Sequence, residues 1–148
     1  MGDANSLNRQ NACQLMENAD LNALPWKAPT RMYPMFGNWS CTWANDDPAG
    51  QNFNSPAVQI IFTTSLSPIS NPSGNTENIS GRAVVVRMET GDQDKTACAA
   101  WITHRKFGPT RTWFELVEIK VYADVLPDQQ CQMARKLAAK AIPRLPAP

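Results

Sequence analysis

The sequence predicts an α+β domain: an antiparallel sheet of about five strands, with an N-terminal helical pair and a C-terminal helix packed on it and two disulfides. Three observations lead there. Runs with period-two alternation or dense β-branched residues recur between turns, as at 58–62 and 82–88. The C-terminal stretch switches to a helical period, with Cys131, Ala134, Leu137, Ala138, Ala141 and Ile142 at steps of three and four. The four cysteines, Cys13, Cys41, Cys98 and Cys131, are widely spread with no CxxC pair, a pattern of crosslinks rather than of metal ligation.

Residues 1–10 are polar and read as a flexible lead-in or tether; 11–148 read as a single globular domain, within the usual size range. Asn11 is placed to cap a short helix carrying Cys13, Leu15 and Met16. Asn18 caps a second with Leu21 and Leu24, which Pro25 stops. Pro25, Pro29 and Pro34, interleaved with Trp26, Tyr33, Met35 and Phe36, make 25–38 an irregular aromatic-rich connector. Strands are expected at 39–44, 58–63, 82–88, 97–104 and 112–122. Acidic turns at Asp46-Asp47 and Asp92-Gln93-Asp94 read as solvated, and 65–80 is long and turn-rich enough to be a mobile or functional loop. Leu126-Pro127-Asp128 starts the last helix, and Pro143 ends it.

Four cysteines allow three pairings. Cys131 at the edge of the helix's apolar stripe points its sulfur toward the sheet, where Cys98 opens a strand. We therefore expect Cys98–Cys131, leaving Cys13–Cys41 to pin the N-terminal helix to the first strand.

Composition narrows function more than it reveals it. A net charge of +1 with 18% charged residues provides no field for nucleic acid, and no apolar run is long enough to span a bilayer. Membrane contact is expected only through a lipid anchor or tether outside this chain. The single histidine, His104, has neighbours Arg105 and Lys106 and reads as a surface residue near a hairpin turn, not as the base of a triad. No Gly-rich phosphate loop is present, and Glu115 and Glu118, an odd and an even position of one strand, should face opposite sides. We expect no catalysis, cofactor or metal. Two binding candidates remain. Trp26, Tyr33, Phe36 and Trp39 would line a groove for a small apolar ligand, a lipid or a glycan. His104, Arg105, Lys106 and Arg111 would meet a polyanion.

Several short motifs occur together. Asn11-Ala12-Cys13-Gln14-Leu15-Met16 with Ala19-Asp20-Leu21-Asn22-Ala23-Leu24 resembles a D-P-C-x-L-L … A-x-L-x-A-L opening. Cys41-Thr42-Trp43 is similar to its C-x-W strand, Ser80-Gly81-Arg82-Ala83 to its G-R-x-A step, and Ala97-Cys98 to its cysteine-bearing strand. Cys131-Gln132-Met133-Ala134, Leu137-Ala138 and Leu145-Pro146 resemble its closing helix. The family so resembled comprises uncharacterised actinobacterial cell-envelope lipoproteins, a domain of unknown function with a four-cysteine pattern. The likeness spans roughly residues 11–146, with Asn11-Ala12 where the family has Asp-Pro. It implies export and strengthens the disulfide reading; the function expected is then a tethered, non-catalytic binding or sensor domain whose partner is a small apolar ligand or an envelope protein. The extracellular sensor domains of mycobacterial receptor Ser/Thr kinases are loosely similar in size and disulfide use. They imply the alternative, a receptor sensor or a secreted docking or inhibitory module.

Overall fold

The computed structural model describes residues 5–24, 31–44, 57–66, 76–90, 96–107, 113–123 and 125–148. Within them the chain forms β1 (Arg31–Met35), β2 (Ser40–Ala44), β3 (Ala57–Ser65), β4 (Glu77–Ile79), β5 (Arg82–Thr90), β6 (Thr96–Phe107) and β7 (Trp113–Tyr122). A short α1 (Asn18–Asn22) precedes the strands and α2 (Pro127–Ala141) comes after them. The strands make one antiparallel sheet in the order β1-β2-β3-β7-β6-β5-β4, so two meanders meet where β3 pairs with β7.

The sheet therefore has seven strands, not about five. The two extra ones lie where turn formers dominate the sequence. β1 contains Pro34, which an edge strand tolerates because it has a side with no ladder to complete. β4 sits at the end of the turn-rich 65–80 stretch. It is joined to β5 by Ser80 and Gly81, both at positive φ, the geometry of a two-residue hairpin turn. Residues 67–75 of that stretch, and the acidic turns at 46–47 and 92–94, lie outside the described residues.

The N-terminal helical pair is also corrected. Asn11 does cap, its Oδ1 accepting from the Cys13 N–H at 2.9 Å, but the segment it caps is a 3₁₀ turn, Ala12–Leu15. Only α1 is helical, with the Glu17 N–H held by the Asp20 carboxylate at 2.8 Å. Residues 5–10, expected in the lead-in, are packed: Leu7 is 3% exposed and belongs to the core.

One face of the sheet is covered by α2 over β4–β7 and by the N-terminal turns over β1–β3. Alternation along each strand fills that layer with Cys41, Trp43, Val58, Ile60, Phe62, Val84, Val86, Ile102, Val117, Ile119 and Val121. These pack against Leu15, Leu21, Met133, Leu137 and Ala141. Each large apolar side chain among them contributes about 1.5–3 kcal/mol on burial. Cys13–Cys41 ties the N-terminal turn to β2, and Cys98–Cys131 ties β6 to α2, the pairing expected. Arg144 adds a link between the chain's ends, bonded to Asp20 at 2.5 Å and to the Leu15 carbonyl at 2.9 Å. Burial resists the Asp20 charge, but Arg144 and the Glu17 N–H together, helped by Lys140, outweigh it and hold that carboxyl below its usual range.

Candidate functional site

The face turned away from α2 carries the densest chemistry. Because Val117, Ile119 and Val121 point toward the helix, Glu118 and Lys120 must point to the other side. Register then fixes their neighbours. Across the sheet, one row runs Val85, Trp101, Glu118, Ile61, Ser40, Met35, and the next runs Arg87, Ala99, Lys120, Gln59, Thr42, Tyr33. Glu89 stands two residues past Arg87 on the same face of β5.

These groups bond to each other. Glu89 accepts from Arg87 Nε at 2.7 Å and from Trp101 Nε1 at 2.8 Å, and the Arg87 guanidinium lies 5.7 Å from the Trp101 ring centre. Lys120 approaches Glu118 at 3.5 Å. Gln59 donates to the Thr42 hydroxyl at 3.2 Å, while the buried Ser40 hydroxyl has no hydrogen-bond partner among the described residues. The small side chain of Ala99, on the strand between them, leaves room for Glu89 and Glu118 to hydrogen-bond to one another.

The two acids differ in what surrounds them. Glu118 is 4% exposed. Burial first, and the Glu89 carboxylate second, push its pKa up to about 8 despite Lys120. At neutral pH it carries a proton that it donates to Glu89. Burial resists ionisation of Glu89 as well, but bonds from Glu118, Arg87 and Trp101 outweigh it and hold that acid below its usual range. The result is one shared proton between two buried carboxyls, with the Trp101 ring beside Glu89 and the buried Ser40 hydroxyl on the same face.

Sequence reading missed this pair. Glu115 and Glu118 do face opposite sides, as expected, but each finds a different partner across the fold. An acid between Val117 and Ile119 in a strand was the available signal. Its partner Glu89 stands two strands away and needs the register to be seen.

The polyanion candidate is not assembled. His104 is 1% exposed, a correction to its expected surface position: β6 carries a register shift between Thr103 and Arg105, and the imidazole lies inside. Its Nε2 is 2.8 Å from the Asn5 carbonyl, which can only accept, so Nε2 carries the hydrogen and Nδ1 faces Arg82 Nη1 at 3.3 Å. Burial, helped by Arg82, lowers its pKa and keeps it neutral. Arg105 bonds Glu115 at 2.5 Å, Lys106 is exposed, and Arg111 lies outside the described residues.

The aromatic candidate is split. Tyr33 packs on the α2-free face beside Ala44, Ala57, Ala97 and Tyr122. Phe36 and Trp39 occupy the β1–β2 turn, and Trp26 lies outside the described residues. Trp39 lines a recess of about 80 Å³ with Leu7, Asn8 and Phe62, too small for a lipid chain or a sugar. Among the described residues, no cluster of His, Cys, Asp and Glu is arranged to hold a metal, and no helix is long and apolar enough to cross a membrane. Comparison of the chain with family models, with curated proteins and with solved structures finds no match.

Proposed function

We propose that this chain is a non-catalytic binding or sensor domain of a cell-envelope protein, working outside the cytoplasm and tethered from its N-terminal side. The observation that carries this reading is the polar band on the α2-free face, centred on Glu89 and Glu118 and including the unpartnered Ser40 hydroxyl. A ligand with an apolar body and one hydrogen-bonding group suits it, the body against Tyr33, Met35 and Trp101. Two disulfides in a small domain support the compartment.

One observation supports the absence of catalysis: His104 has both ring nitrogens engaged, so it is not free to act as a base.

Native mass spectrometry of the unreduced protein, purified from its host, should reveal a retained small molecule. Trp101→Phe should remove the part of the tryptophan emission that responds to added ligand. A bare polypeptide mass, with unchanged emission across fatty acids, amines and glycans, would overturn the reading.

A further inference from the structure

Phe36 is a residue that the fold itself does not select. Its ring is 81% exposed, so folding gains little from its apolar surface. Its backbone sits at φ 53°, in the left-handed region that disfavours a bulky side chain and that Asn or Gly meets more easily. Neither burial nor backbone geometry accounts for phenylalanine at this position. Three residues on, Trp39 is 51% exposed.

The turn that presents these rings is rigidly held. The Trp39 N–H reaches the Phe36 carbonyl at 3.4 Å, and the Trp39 carbonyl accepts from the Phe62 N–H at 2.8 Å. The Asn38 carbonyl accepts from the Ala12 N–H at 2.8 Å, and Cys41 is crosslinked to Cys13. The turn is thus bolted to the N-terminal segment. That segment enters the fold at the same end of the sheet: the Asn5 carbonyl accepts from His104, the Leu7 N–H reaches Glu115, and Leu7 lines the recess beside Trp39. Leu66, also exposed, comes just after β3 at this end, and exposed Lys106 lies near the end of β6. The acid here, Glu115, is countered by Arg105.

We propose that the Phe36–Trp39 turn is a second membrane contact, inserting its two rings into the lipid interface of the membrane to which the N-terminal side is tethered. The inference rests on the tethered-envelope reading. The occupant is a lipid surface because an exposed Trp suits the headgroup boundary and an exposed Phe the acyl side of it, and because the turn is fixed to the segment through which the N-terminal tether enters the fold. A lone acyl anchor binds only reversibly, and a second contact makes attachment durable.

The chain carrying an N-terminal histidine tag is bound to vesicles of phosphatidylglycerol and phosphatidylcholine that contain a nickel-chelating lipid and brominated acyl chains. Tryptophan emission should be quenched, and Trp39→Phe should abolish the quenching. Phe36→Asn should reduce untethered partitioning to the same vesicles about tenfold. The same variant should raise the melting midpoint by about 2–4 °C, because Asn relieves the left-handed backbone. Absence of quenching in the tethered wild type, quenching that survives Trp39→Phe, or a lower midpoint for Phe36→Asn would each overturn the proposal. Crosslinking from residue 36 to an envelope protein without lipid quenching would overturn it in favour of a protein partner. Tethering is imposed by the tag, and the Trp101 response is read separately, so failure here leaves the ligand reading standing and failure there leaves this one.

Discussion

Glu115 and Glu118 stand three residues apart on β7 and are almost equally hidden, yet they meet opposite surroundings. On the helix-covered face Glu115 is surrounded by donors: the Ser6 hydroxyl at 3.1 Å, the Leu7 N–H at 2.7 Å and Arg105 at 2.5 Å. On the other face Glu118 is turned toward a second carboxylate, with Lys120 at 3.5 Å. The first arrangement uses an acid to fasten the N-terminal segment to the sheet. The second keeps an acid protonated between strands that the sheet already joins. A buried charge that bonds distant chain segments fastens them together; a buried proton shared between two carboxyls makes the fold sensitive to pH instead.

The sharpest way to break this contrast is Glu115→Ala. It strands the Arg105 guanidinium and leaves the Ser6 and Leu7 donors without their acceptor, and should cost about 3–5 kcal/mol in chemical denaturation. Adding Arg105→Ala should recover part of that loss. A cost below about 1 kcal/mol would show that the two acids do not differ in role.

Glu118→Gln should behave differently. In the folded state Glu118 keeps its proton to about pH 8, while the unfolded chain releases it near the ordinary value of 4.5. Between those values the unfolded state binds fewer protons, so stability falls as pH rises, by up to about 1.4 kcal/mol per pH unit, and levels off above the folded value. Glu89, held low, has the opposite slope below 4.5. Denaturation at about pH 5 and about pH 9 should show the decline in the wild type and a flatter profile in Glu118→Gln. An unaltered decline would place the proton elsewhere.

The smallest effect belongs to Ser40→Ala. Removing a buried hydroxyl that has no partner should leave stability unchanged or raise it by about 1 kcal/mol or less. A clear loss instead would reveal a bond this hydroxyl makes in solution.

Much of the scaffold was legible in the residues. The α2 stripe and five strands follow from periodicity, and the pairing preferred among the three that four cysteines allow is the one found. What escaped was set by tertiary context. β1 is hidden by Pro34, harmless only because the strand lies at an edge. β4 is too short to show a period. Leu7 looks like part of a polar tail until Glu115 captures its backbone N–H. His104, written among cations at a strand end, is turned inward by one irregularity in β6. Of the α2-free face, sequence shows only that Glu118 stands between Val117 and Ile119. That Glu89 meets it past Ala99 depends on the pairing of three strands, which no local pattern encodes.

The two crosslinks have a consequence for wear. A single backbone cut anywhere between residues 13 and 41, or between 98 and 131, leaves both pieces joined by sulfur, so no fragment can drift away. A protease can therefore nick either segment without shedding part of the molecule, and the damaged chain keeps every piece it needs to close up again.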